Sequence, residues 1–72
     1  SRTVIAPCNP KDIRYYEQKK IYIVNYVLKT KGIVKAYRIG FKSYEDAYTQ
    51  MNTARIQQGF KKLPPFKKYQ GE

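Results

Sequence analysis

Residues 33–47 read IVKAYRIGFKSYEDA, and the change of texture inside this stretch decides the fold. Ile33 to Phe41 is rich in β-branched and aromatic residues, the composition of a strand. Ser43-Tyr44-Glu45-Asp46 then opens a helix. Ser43 is a favourable N-cap, and Asp46 at the third helical position makes a capping-box variant. Glu45 and Asp46 also suit the positive end of the helix dipole, which is a structural role rather than a catalytic one. At 100° per residue, Ala47, Met51, Ala54 and Gln58 fall in one narrow stripe, with Tyr44 and Tyr48 on its flank. The small Ala47 and Ala54 predict a helix axis lying close to a sheet. Ile56 points about 180° from the stripe, either exposed or covered by the tail. Gly59 is the stop.

Upstream, DIRYYEQ predicts a short first strand and KIYIVNYVLK a stronger second one. Lys29-Thr30-Lys31-Gly32 is the hairpin turn, Gly32 supplying positive φ. Connections this short imply an antiparallel meander. Residues 1–12, with Pro7, Asn9 and Pro10, read as an irregular arm. Pro64-Pro65 ends any helix, so 61–72 is a basic tail that packs back in part and then frays. The expected fold class is α+β: a three-stranded antiparallel sheet packed against one C-terminal α-helix, the two together spanning residues 13–60. A chain of 72 residues buries only about 60% of its surface, so helix docking supplies most of the core and the second sheet face stays open.

Composition narrows the chemistry. The chain has no His, no Trp and one Cys, against 8 Tyr. Ser-His-Asp and Cys-His systems require a histidine, and one thiol cannot seed a tetrahedral zinc site. Cys8 alone forms no internal disulfide, which suits a reducing, intracellular setting. The reading is therefore no enzyme, with no catalytic residue, no metal, no cofactor and no small-molecule substrate. No segment approaches the ~20 apolar residues of a membrane span, and SRTVIAPCNP lacks the apolar run of a signal peptide. With no initiating Met, the chain is expected to be a piece of a longer protein.

Alternation assigns the faces. Ile13, Tyr15, Tyr22, Val24, Tyr26, Leu28, Tyr37, Ile39 and Phe41 share the side expected to meet the helix. Lys35 falls there too, near a strand end from which its stem can snorkel. Arg14, Tyr16, Ile21, Ile23, Asn25, Val27, Val34, Ala36, Arg38 and Gly40 share the open side. A slip of one residue would exchange the faces. Ile23 and Val27 on the open side suit contact with thymine methyls.

Charge follows the same division. Fifteen Lys and Arg face five Asp and Glu, a net of +10. Residues 13–42 hold eight Lys/Arg against Glu17, a net of +7; 43–60 hold Arg55 against Glu45 and Asp46, a net of −1. The tail has four Lys against Glu72, +3, and the arm has Arg2 and Lys11 against Asp12, +1. A basic sheet over a helix that is not basic points to a polyanion. An antiparallel sheet can enter the major groove of duplex DNA. Arg bridges guanine and Asn bridges adenine there. Arg14, Asn25 and Arg38 are the expected base readers, with Tyr16 and Ile23 as further base contacts. Lys19, Lys20, Lys29, Lys31 and Lys42 are the expected phosphate contacts.

The order of these elements resembles APETALA-two-type DNA-binding domains over about residues 12–60. The likeness rests on Arg38-Ile39-Gly40-Phe41-Lys42-Ser43-Tyr44-Glu45-Asp46-Ala47, on Ile13-Arg14-Tyr15 and on Tyr22-Ile23-Val24-Asn25-Tyr26. The resemblance points to the family's apicomplexan branch, which is rich in Lys, Tyr and Asn. The resemblance implies a sheet that reads the major groove as part of a transcription factor. By position it places Arg14, Asn25 and Arg38 at or near contact positions. Tyr22 stands where the family commonly has Trp, and Ile23 and Val27 stand where contact positions are often charged. The strand-three junction is one residue shorter than in plant members.

The expected function is thus sequence-specific double-stranded DNA binding by a nuclear transcription regulator. Alternatives are the arm-site DNA-binding domain of a tyrosine recombinase, an RNA or single-strand binder using Tyr16 and the tail aromatics, and a protein- or membrane-surface module using Phe60, Leu63 and Phe66. Exchange of the helix between two chains is a route to a homodimer.

Overall fold

A computed structural model describes residues 5–65. Strands β1 (Ile13–Tyr16), β2 (Ile21–Thr30) and β3 (Ile33–Phe41) precede helix α1 (Tyr44–Gln57), and a 3-10 turn at Pro10–Asp12 leads into β1. The strands form one antiparallel sheet in the order β1-β2-β3. This is the α+β architecture expected, with the helix after the strands. Arg2, Phe66, Lys67, Lys68 and Glu72 lie outside the described residues.

Two boundaries differ from the sequence reading. β1 has four residues, not seven. Asp12 is drawn into the 3-10 turn by a capping box: the Asn9 side chain accepts from Lys11 N (2.9 Å), and Asp12 Oδ2 accepts from Asn9 N (3.0 Å). Glu17 to Lys20 form the turn. β2 continues through Lys29, which pairs with Val34, to Thr30, which pairs with Ile33. The hairpin turn is therefore Lys31-Gly32 alone, with φ of +52° and +81°. Positive φ at both central residues is the turn that matches strand twist, and Asn-Gly is its preferred pair. Lys31 carries a Cβ in a left-handed conformation that Asn tolerates better. Lys31→Asn is expected to stabilise the domain by about 0.5 kcal/mol, raising the melting temperature by about 2–4 °C. A thermal melt showing no rise would mean that the turn does not strain Lys31.

The helix begins at the expected N-cap: Ser43 Oγ accepts from Asp46 N at 3.1 Å, which is one half of the expected capping box. It ends in a Schellman motif, in which Phe60 N donates to Arg55 O (2.8 Å) and Gly59 N to Ile56 O (2.9 Å). Gly59 sits at φ +92°, where a Cβ would be strained. The predicted stripe is the docking face. Ala47, Met51 and Ala54 are wholly buried, together with Val24 of β2, and Tyr26 beside them is nearly so. The two alanines let the helix approach β2 closely, and Met51 fills the space between them. Tyr22, Leu28, Tyr37, Ile39 and Phe41 surround this core, so the faces alternate as expected. Ile56 is exposed.

Arm and tail both fold back. β1 pairs only with Ile21 to Val24, so the adjoining edge of β2 beyond Val24 has no strand beside it. The arm takes that place. Cys8 is buried in the core, and its Sγ lies 3.8 Å from the Asn25 carbonyl oxygen. Gln58, last of the helix stripe, ties arm to sheet: its Oε1 accepts from Cys8 N (2.9 Å), and its Nε2 donates to Val27 O (2.8 Å) and Ala6 O (3.3 Å). Arg55 Nη1 donates to Cys8 O (2.6 Å), and its Nε donates to Lys61 O (2.7 Å), gripping arm and tail at once. The tail is held further by Asn52, which exchanges two bonds with the Leu63 backbone (2.9 and 3.2 Å). The buried Asn52 amide is thereby satisfied.

Candidate nucleic-acid interface

The sheet face opposite the helix brings together three of the five predicted base contacts, Arg38, Asn25 and Tyr16. Asn25 and Arg38 are cross-strand partners on β2 and β3. Arg38 Nη1 reaches Asn25 Oδ1 at 3.5 Å, and Nη2 donates to the Tyr16 hydroxyl of β1 at 2.7 Å. The guanidinium carbon is 5.0 Å from the Tyr16 ring centroid, a cation–π distance. One guanidinium thus links all three strands. The Tyr16 bond is short and well formed, whereas the Asn25 bond is at its outer limit and leaves the amide largely available.

Register explains what lies beneath. Tyr16 shares a row with Ile21, and Arg38 shares a row with Asn25. The row between them is Arg14, Ile23 and Gly40. Arg38 and Tyr16 can meet only by spanning that row, and Ile23 is accordingly 7% exposed although it stands on the open face. Gly40 contributes to the same closure. A Cβ there would come within 3.1 Å of Ile21 Cδ1, tighter than ordinary contact, so its absence lets Ile21 lean against β3, while Ile23 Cγ1 at 3.9 Å would be in ordinary contact with it. Ile23 is therefore the floor of the cluster, and a base reaches it only if the Arg38–Tyr16 bridge opens. Arg14 is exposed beside it on β1, with Ile23 as its cross-strand neighbour.

The predicted phosphate contacts are all exposed and divide between the ends of the sheet. Lys19 and Lys20 occupy the β1–β2 turn, and Lys42 follows β3 at the same end. Lys29 and Lys31 stand at the opposite end, where β2 turns into β3. At about 3.3 Å per residue, the length of β2 separates the two groups by about 30 Å. The face between them carries Arg14 and Arg38.

The tyrosines take the other side. Tyr15, Tyr22, Tyr44 and Tyr48 form a chain of ring contacts with centroids 4.9, 5.6 and 6.2 Å apart, and Tyr26 stacks on Tyr37 at 5.2 Å. Of these, the Tyr22–Tyr44 contact joins sheet to helix, whereas Tyr15–Tyr22 and Tyr26–Tyr37 pack strand against strand and Tyr44–Tyr48 lies along the helix. Among the described open-face residues Tyr16 is the one tyrosine, and Arg38 lies over it.

Burial, reinforced by the Asp12 carboxylate, pushes the Cys8 thiol up from its ordinary 9.0 to about 11, against the opposing pull of Arg55 and the Asn9 backbone. The thiol is therefore protonated at neutral pH. Among the described residues, no three His, Cys, Asp or Glu side chains come together to hold a metal ion. No described helix is long and apolar enough to cross a membrane.

Sequence reasoning missed two parts of this region. The arm and its Gln58 and Arg55 anchors carry no local signal, since Cys8 and Gln58 stand 50 residues apart. The cover over Ile23 also lay beyond strand alternation, which assigns faces but not the side chains lying across them. Compared with known proteins, the chain matches no family profile, no curated protein and no solved structure.

Proposed function

We propose that the domain binds double-stranded DNA sequence-specifically, through the sheet face opposite the helix, as the DNA-binding part of a nuclear transcription regulator. The observation that carries this reading is the convergence of Arg38, Asn25 and Tyr16 from three strands on one open face. Side chains anchored on strands hold their geometry better than side chains on loops. An Arg and an Asn side by side offer bidentate partners for guanine and adenine edges. The lysines at both ends of the sheet supply sequence-independent attraction to phosphates. The order of elements is also the one implied by the resemblance to APETALA-two-type domains. The position of the tyrosines favours duplex over single strand, because a stacking platform needs several aromatic rings free on the binding face.

The test is a competition titration of labelled duplex against unlabelled duplex, single-stranded DNA and RNA at stated salt concentration, following selection of the preferred duplex. Duplex is expected to compete best. Equal competition by single strands of the same sequence overturns the reading. In the same assay Lys29→Ala is expected to weaken preferred and scrambled duplexes alike. The slope of log affinity against log salt should fall by about one. A sequence-dependent loss would move Lys29 from the phosphates to the bases.

A further inference from the structure

We infer that the open face carries a slot for the C5-methyl group of a pyrimidine, beside the base pairs met by Asn25 and Arg38. The inference rests on the duplex reading above and adds which group of the duplex this part of the sheet recognises. One row along the strands from the Asn25–Arg38 pair, about 7 Å away, stands the pair Val27–Ala36. Val34 follows on the same face of β3 and is 45% exposed. Pro7 of the docked arm supplies a wall where β1 does not reach. These residues, with Asn25 and Arg38 at one end, line a groove of about 740 Å³.

The occupant follows from what a duplex can offer. Base edges in the major groove present donors and acceptors everywhere except at one group, the pyrimidine C5-methyl. An apolar row set between a hydrogen-bonding pair and the Lys29 end of the sheet has no other apolar partner on a base edge. Asp12 also lines the groove. Its Oδ2 accepts from Asn9 N, and its negative charge disfavours a phosphate at that point. The arm shapes this slot because Gln58 and Arg55 hold it there, so the helix end bears on recognition without touching DNA. Two natural groups share this chemistry: the methyl of thymine and the methyl of 5-methylcytosine.

The experiment uses the full chain and the preferred duplex recovered by selection. In one arm every thymine is replaced by uracil, which removes the methyl and keeps the pairing. In the other, cytosines are replaced by 5-methylcytosine. Loss of about fourfold in affinity for each methyl removed from the slot is expected in the first arm. Val27→Thr, which keeps the branched shape but adds a hydroxyl, is expected to bring the thymine-to-uracil ratio close to one. A gain of similar size in the second arm, erased by the same substitution, supports the slot and assigns it to methylated cytosine. Indifference of the wild-type chain to both changes, with duplex preference intact, overturns the slot and leaves the duplex reading standing. Loss of duplex preference itself overturns both.

Discussion

Met51→Ala is expected to remove about 2–5 kcal/mol of stability. The side chain is wholly buried between Ala47 and Ala54 on the helix and Val24 and Tyr26 on β2. Its neighbours are already small or fixed in the sheet, so the vacated space cannot collapse cheaply. A domain of this size has a total stability of about 4–11 kcal/mol, and the loss is a large fraction of it. The melting temperature should fall by at least about 8 °C, at about 4–8 °C per kcal/mol. The control lies on the same helix. Ile56 points away from the stripe and is 54% exposed, so Ile56→Ala should stay within about 0.5 kcal/mol of wild type. Circular dichroism melts of the two variants read the difference directly. Similar losses at both positions would mean that the helix is not docked through the Ala47–Met51–Ala54 stripe. Duplex binding should fall with the folded fraction in Met51→Ala, which supplies the reference for a variant that acts through stability alone.

The parts of the fold legible in the sequence are those with a short period. The nine-residue β3 and the helix stripe were readable because apolar residues recur every two and every 3.6 positions. The same period-two reading put Arg14, Tyr16, Asn25 and Arg38 on one face, and the register brings three of them together. The early end of β1 had a local signal too: Asn9 and Asp12 stand three apart, the spacing of a capping box. That box competes for Asp12 with the strand. The arm's course had none. Cys8 enters the core through contacts with Asn25, Arg55 and Gln58, all distant in sequence. Arg55 reads as solvated until the backbone groups it satisfies are placed, and the stripe that turns Gln58 toward the sheet does not tell which backbone groups it meets. Ile23 looked like an exposed contact because alternation does not report that an arginine two rungs along β3 reaches over it.

Asn25→Ala is expected to reduce affinity for the preferred duplex by about 5- to 150-fold, the cost of about 1–3 kcal/mol for one bidentate base contact. Affinity for a scrambled duplex should not change, because no charge is lost. Stability should hardly change either. The described side-chain partner of Asn25 is Arg38 at 3.5 Å, a weak bond, and the Asn25 carbonyl that receives the Cys8 thiol remains in alanine. Arg38→Ala should behave differently. It removes a charge, a base contact and the cover over Ile23, so both duplexes weaken and the preferred one weakens more. Tyr16→Phe separates orientation from charge. The ring stays beneath the guanidinium while the 2.7 Å bond to the hydroxyl is lost, so a smaller loss is expected, confined to the preferred sequence. Equal weakening of preferred and scrambled duplexes by Asn25→Ala would remove Asn25 from base reading. The decisive measurement is the cycle between Asn25 and Arg38. If Arg38, held by Tyr16, and Asn25 meet adjacent base edges as one unit, the double variant loses less than the sum of the single losses. Additive losses would instead assign the two side chains to independent contacts, and the Tyr16–Arg38–Asn25 cluster would then be an arrangement of the free protein that binding dissolves.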